Sequence, residues 1–319
     1  MSIYRGIRGF TVQTLSSNPS PLAEGQLFYN STTGKFVASV ASALGTWSTG
    51  GTLNVARKNL TSAGTQTSAI AFGGDPHTNI SEQYNGTAWN TAPTMPTPIQ
   101  STGGAGTSST SAIAFGGDPI TTATVFFNGS WSVVNSMNTA ITGPGGGGTA
   151  TSALSFGGDL LSSFSSNTES YNGSWTNQPS MNSARKNLGA ATANNTTGLA
   201  FGAGQPADFN DSTESYNGSW TTVADLNVAR GFLAGTGTVT AALAFGGAPQ
   251  VSVGPSTESW NGSAWTNVSN MLLGVQSLAG TGSNVSALGC GGYNPTPAAT
   301  NVTQEYNTPA IIASDLTTT

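Results

Sequence analysis

Five near-copies of one short stretch recur along this chain: "YNGTAW" at 84–89, "FNGSW" at 127–131, "YNGSW" at 171–175 and at 216–220, and "WNGSAW" at 260–265. A sixth copy starts at Tyr306-Asn307 and has no tryptophan after it. Self-similarity at a fixed period marks a repeat architecture, in which each unit buries its apolar surface only against a neighbour. A second element keeps the same beat. It is an apolar run closing on glycine, from "AIAFGG" at 69–74 to "ALGCGG" at 287–292. Its key residues Phe72, Phe115, Phe156, Phe201, Phe245 and Cys290 are separated by 43, 41, 45, 44 and 45 residues. That period belongs to a four-stranded propeller blade.

The spacing also locates the missing tryptophan. Trp89, Trp131, Trp175, Trp220 and Trp265 each precede the next Phe or Cys of the series by 25 or 26 residues, and Trp47 stands 25 before Phe72. Trp47 continues as "WSTGGTLNVAR", which parallels "WTTVADLNVAR" at 220–230. It is therefore the last strand of the repeat whose first three strands lie at the C-terminus. The expected fold is all-β, a six-bladed β-propeller with one structural tryptophan per blade. One N-terminal and three C-terminal strands close the ring and remove an edge that could pair with other chains. The expected divisions are an N-terminal anchoring segment with a β-hairpin (1–46), the propeller (47–307) and a C-terminal tail (308–319).

Composition agrees with strands. Only 7% of the 319 residues are charged and 43 are Gly, which is poor material for long helices. First strands are built from small residues such as "GPGGGG" at 143–148, as crowding around a central channel demands. Asn-Gly accepts positive φ at both centres of a two-residue hairpin turn. Such a turn would pair Tyr171 with Ser174 and put Tyr171 and Trp175 on opposite faces. The extra Ala88 and Ala264 of two copies would then require bulges.

The net charge of −5, with no basic run, disfavours nucleic acid as a partner. One cysteine excludes an intramolecular disulfide and a Cys-rich metal site, and its place in the Phe series makes Cys290 a small core residue. No stretch is apolar for the roughly 18 residues that a membrane span needs, and the start "MSIYRGIRGF" lacks the apolar core of a secretory signal.

A small or apolar first strand, a second strand ending in Gly-Gly, then a Tyr and shortly a Trp: this pattern resembles the kelch motif over about residues 47 to 307. Kelch propellers include both enzymes and protein-binding scaffolds, so the resemblance implies a fold and not an activity. "GQLFYNSTTGKFV" at 25–37 is similar to a short hairpin of tail fibres and other virion proteins of tailed bacteriophages. The Gly- and Asn-rich arrays resemble structural proteins of marine phages. The resemblance implies a virion protein made in the host cytoplasm and assembled into a homo-oligomeric or multi-protein particle. Residues 1–46 would contact other virion proteins, and the propeller would bind a host-surface glycan or outer-membrane component. A decoration protein without a receptor and an intracellular protein-binding scaffold are the alternatives.

Candidate site residues follow from the loops. Kelch-type copper oxidases imply two His and a Tyr-Cys pair, whereas this chain has His77 alone, so neither a copper site nor another metal or cofactor is expected. No nucleophile, base and orienting acid assemble, and an enzyme is not expected. Antiparallel order puts the loops between second and third strands on the rim opposite the Asn-Gly turns. Recognition usually resides in such loops, here with His77, Phe164, Asp208, Phe209, Asp211 and Tyr293 as contacts. Arg57, Arg185 and Arg230 recur after the Trp strand, at the places taken by Gln100, Thr142 and Gln276 in other copies. They are either an anion-binding cluster over the channel or the ion-pair partners of the repeated acids Glu82, Glu169, Glu214 and Glu258. Repeat periodicity favours the second. Asp75, Asp118 and Asp159 read as turn residues.

Overall fold

A computed structural model describes residues 12–19, 26–40, 45–204, 209–248, 253–294, 298–308 and 312–315. Every regular element among them is a β-strand. The chain divides into two compact units, one of Thr46–Asn307 and one of Met1–Gly45 with Thr308–Thr319.

The larger unit holds six four-stranded antiparallel sheets in repeated arrangement. Sheet I consists of Thr61–Thr65, Ser68–Phe72, Ser81–Tyr84 and Trp89–Ala92. Sheet II runs from Gly103–Ser108 to Trp131–Val133, sheet III from Gly145–Thr149 to Trp175–Gln178, sheet IV from Gly189–Asn194 to Trp220–Val223, and sheet V from Ala234–Thr238 to Trp265–Asn267. Sheet VI takes Ala279–Gly282, Ser286–Cys290 and Thr303–Asn307 from the C-terminal side and Thr46–Thr49 from the N-terminal side, with Tyr306 opposite Trp47. The first strands touch one another in cyclic order, I to VI and back to I.

Alternation along the second strand explains how both faces of each sheet are buried. In "AIAF", Ile70 and Phe72 pack with Trp131 of sheet II, while Ala69 and Ala71 lie in the cluster of Tyr84 and Trp89 on the side of sheet VI. Large residues thus reach the following sheet, and small ones leave room for the aromatic pair of their own sheet. Cys290 occupies the slot of the phenylalanines, buried in the cluster with Trp89.

The hairpin register corrects the sequence expectation. Tyr171 is opposite Trp175, Tyr216 opposite Trp220 and Phe127 opposite Trp131, so each pair shares one face with ring centroids 5.1 or 5.2 Å apart. The loop has three residues, and only its Gly takes positive φ, as at Gly173 (106°). The extra Ala88 and Ala264 produce no strand bulge. They lengthen the loop by one residue, which leaves Tyr84 opposite Trp89 and Trp260 opposite Trp265.

Every outer-strand tryptophan is anchored on the preceding sheet. The indole N–H of Trp89 donates to Thr303 of sheet VI (2.9 Å), Trp131 to Ser81 of sheet I (3.0 Å), Trp175 to Thr124 of sheet II (2.9 Å) and Trp220 to Thr168 of sheet III (2.9 Å). Trp265 donates to Thr213 of sheet IV and Trp47 to Thr257 of sheet V, both at 3.1 Å. The relay passes through all six sheets and returns to its start.

The smaller unit has its own sheet, ordered Gln13–Leu15, Leu27–Asn30, Lys35–Val40 and Ile312–Asp315. Leu27–Asn30 and Lys35–Val40 form the hairpin expected in this segment, with Tyr29 opposite Phe36 and the rings 5.2 Å apart. Ile312–Asp315 of the tail pairs antiparallel with Lys35–Val40. Tail and N-terminal segment therefore share one sheet.

The relay makes a graded prediction. Trp220→Phe, which keeps the ring but strands the Thr168 hydroxyl, should cost about 1–3 kcal/mol. Trp220→Ala, which also opens a cavity between sheets III and IV, should cost about 3–5 kcal/mol. Urea unfolding of both variants checks the order.

Candidate functional site

Two features of the larger unit could meet a partner: the space inside the first strands and the loop rim. The inner space is a cavity of about 380 Å³ lined by the first strands of all six sheets. Its lining is Gly, Ala, Ser, Thr, Leu and Pro. It offers peptide groups and hydroxyls, suited to water or a small neutral molecule.

The loop rim is tied together by backbone. The Gly-Gly after the second strand of five sheets, and Gly202-Ala203 in sheet IV, docks on the connection that follows the outer strand, as Gly74 N–H on the Ile99 carbonyl (2.9 Å), Gly292 N–H on the Arg57 carbonyl (2.8 Å) and Ala203 N–H on the Arg230 carbonyl (3.2 Å). A Cβ on Gly73 would lie 2.6 Å from that same Ile99 oxygen, so the close approach requires glycine. Asn59, Ser101, Gly143, Asn187, Phe232 and Ser277 then adopt positive φ between 51° and 60°. Among the described residues, five hydrogen bonds of 2.7 to 2.9 Å join neighbours in this series, for example Ser101 N–H to the Asn59 carbonyl and Asn59 N–H to that of Ser277. Five of the six junctions between neighbouring connections are thereby locked just before the chain enters a first strand.

The three arginines are not on an exposed rim. Arg57 and Arg230 are fully buried and Arg185 is 2% exposed, because each guanidinium reaches into the following sheet. Arg57 donates to the Glu82 carboxylate (2.8 Å) and to the carbonyls of Gly73 and Ile80, Arg185 pairs with Glu214, and Arg230 pairs with Glu258. The second oxygen of each Glu accepts the backbone N–H of Asn54, Asn182 or Asn227 at 2.7 Å. Burial pushes the guanidinium pKa of Arg57 and of Arg230 down, and the facing carboxylate opposes that shift. The expected ion pairs form at Glu82, Glu214 and Glu258 but not at Glu169, and the three guanidinium charges are spent inside sheet interfaces rather than clustered for an anion.

Carbonyl docking also aligns the arginines with Ile99, Ile141 and Val275, one residue before Gln100, Thr142 and Gln276. Across those three interfaces the partner changes in step. Ile99 packs with Val125, Gln304 exchanges hydrogen bonds with the Leu273 backbone at 3.0 and 3.1 Å, and Glu169 accepts the N–H groups of Asn138 and Thr139 at 2.9 Å each.

The remaining candidates scatter. Phe209 is 7% exposed and sits edge-on against Phe232, 6.2 Å between centroids, so it closes the sheet end and is no free contact. Asp211 is half-buried, its carbonyl accepting the Leu226 N–H at 2.9 Å. Asp208 lies outside the described residues. His77 is exposed and 3.3 Å from Asp118, which also accepts from Gln100 at 2.7 Å. Tyr293 and Phe164 are half-buried under Lys58 and Lys186, whose ammonium groups stand 5.4 and 4.9 Å from the ring centres. These lysines, absent from the sequence candidates, pair with Asp75 and Asp159. The signal for them was the doublet "ARKN" at 56–59 and 184–187: in it the Arg turns inward and the Lys outward. The rim thus presents two lysine-over-aromatic sites and one His–Asp–Gln cluster. Among the described residues no three of His, Cys, Asp and Glu gather as metal ligands would.

Two measurements test the buried polar interfaces. Arg230→Ile or Glu258→Val alone should cost about 3–5 kcal/mol by leaving a buried charge, and the double variant less than either, because it copies the apolar Ile99–Val125 interface. Cys290, whose thiol pKa is pushed up to about 12 chiefly by burial, should resist alkylation in the folded protein and react once denaturant unfolds it.

No family model matches this sequence, and no curated protein matches it.

Proposed function

We propose that this chain is a kelch-like propeller of six blades that acts as a display module on a tailed-phage particle, non-enzymatic, binding a host-surface glycan or outer-membrane component through its loop rim. The observation that carries the reading is the difference between the two rims. The loop rim concentrates Lys58, Lys186, His77, Asp75, Asp118 and Asp159 beside Tyr293 and Phe164. Aromatic faces with adjacent cationic and carboxylate groups are the usual means of gripping a sugar ring and its hydroxyls. On the other side, the Asn-Gly loops and the turns between first and second strands are uncharged.

Six blades are supported by the indole relay, which needs one donor and one acceptor per sheet and has both in all six. A backbone locked in this way suits a scaffold whose loops vary while the ring does not. The virion context rests on the fibre-like hairpin at 25–37, for which the Leu27–Asn30 and Lys35–Val40 strands provide the structure. Residues 1–46 would supply the contact to other virion proteins.

The test is binding of the full chain to a panel of bacterial outer-membrane vesicles and to glycans extracted from them. Binding should be weakened at least tenfold by Tyr293→Ala with Phe164→Ala and left unchanged by Asn172→Ser on the opposite rim. Equal loss from both rims, or binding to none of the panel while the chain is found on assembled particles, would replace the receptor reading with a decoration protein.

A further inference from the structure

The five Asn-Gly loops share a chemistry that the fold treats unequally. Asn85, Asn128, Asn172, Asn217 and Asn261 are all exposed and lie on the same rim. The Gly that follows each has no Cβ to hinder its backbone nitrogen, which is what allows that nitrogen to attack the preceding side-chain amide. In the three-residue loops the backbone N–H of Asn128, Asn172 and Asn217 bonds the carbonyl of Ser130, Ser174 and Ser219 at 3.3 Å. Among the described residues, the side-chain amides of these three have no hydrogen bond.

The four-residue loops differ. The extra alanine brings two further N–H groups under the carboxamide: the Asn85 Oδ1 accepts from Thr87 N–H (3.0 Å) and Ala88 N–H (2.9 Å). The Asn261 Oδ1 accepts from Ser263 N–H (3.0 Å), the Ser263 hydroxyl (2.9 Å) and Ala264 N–H (2.9 Å). An amide held this way must break its bonds before its carbon can swing to the glycine nitrogen.

We infer that Asn128, Asn172 and Asn217 are sites of spontaneous deamidation, and that Asn85 and Asn261 are protected from it by their longer loops. The Gly nitrogen forms a bond to the Asn side-chain carbon, the bond from that carbon to Nδ2 breaks, and ammonia leaves, giving a cyclic imide. Water then opens the imide at either carbonyl to Asp or isoaspartate. The net exchange is one amide nitrogen for one oxygen, with one negative charge gained and no oxidant or reductant consumed. An isoaspartate adds one backbone atom to a three-residue loop, and the four-residue copies prove that the flanking Tyr–Trp register tolerates a longer connection. Three conversions would turn an uncharged rim acidic in a chain whose net charge is −5.

The full chain, incubated folded in mildly alkaline buffer, would be mapped by peptide mass spectrometry with isoaspartate detected by enzymatic methyl transfer. Asn128, Asn172 and Asn217 should convert roughly tenfold or more faster than Asn85 and Asn261. In denaturant all five should react at closely similar rates, since only the fold distinguishes them. Deleting Ala88, which restores a three-residue loop, should bring Asn85 up to the rate of Asn172. Equal rates at all five sites in the folded chain would overturn the inference. So would a lack of native conversion at sites that react in denaturant.

Discussion

The hydrogen bond from one indole N–H to a threonine or serine of the preceding sheet is the interaction on which the larger unit depends. A single sheet of this sequence cannot stand alone. Its second strand is apolar on both faces, and its tryptophan has no polar partner within the sheet. Both needs are met by a neighbour: the ring packs against the neighbour's Phe, or in the case of Trp89 beside Cys290, and the indole N–H finds a hydroxyl on the neighbour's third strand. Because each sheet both gives and receives, the interaction is satisfied everywhere only if the series returns on itself. Trp47 and Thr303 complete it from opposite ends of the chain.

A second layer of connections runs near the loop rim and is less uniform. Three interfaces use a buried Arg–Glu pair, one an apolar Ile–Val contact, one a Gln on backbone, and one a Glu on backbone N–H groups. Buried ion pairs are weak contributors to net stability because desolvation offsets much of their attraction. Their variety around one set of sheets fits that physics: what each interface requires is a satisfied or absent carboxylate, not a particular residue. The Nε–H groups of Arg57, Arg185 and Arg230 have no partner among the described residues, a repeated local cost that the multidentate contacts of the terminal nitrogens offset.

The two rims show how a repeat separates scaffold from surface. Near the first strands, connections are fixed by Gly-Gly docking and by positive-φ residues joined through backbone, so their path is the same whatever their side chains. Phe232 takes this conformation despite its size because its ring has Phe209 to pack on. Further out, side chains are free to differ, and the Lys, Asp and aromatic groups vary from sheet to sheet. Charged and aromatic side chains in the loops are concentrated on this rim, whereas the opposite loops differ mainly in length.

The period, the pairing of Trp47 with the C-terminal strands, the core place of Cys290 and the pairing of the recurring Arg with Glu were legible in the sequence, because they are consequences of spacing and of one-dimensional repetition, whereas the burial of those pairs was not. The hairpin register was not. Asn-Gly permits either a two- or a three-residue loop, and only the demand that Tyr and Trp pack on one face against the preceding sheet selects the longer. Likewise, a strand of alternating Ala and Ile or Phe announces burial on both faces without saying which neighbour takes the large residues. The arginine alignment slipped by one residue because the carbonyl that docks on Gly-Gly, a backbone feature invisible in residue identity, sets the true correspondence. Sequence by itself determined the repeat period and the composition of the repeat. Which side chains meet was decided only by the tertiary structure, since contacts between sheets depend on register and face, and a one-residue shift reverses both.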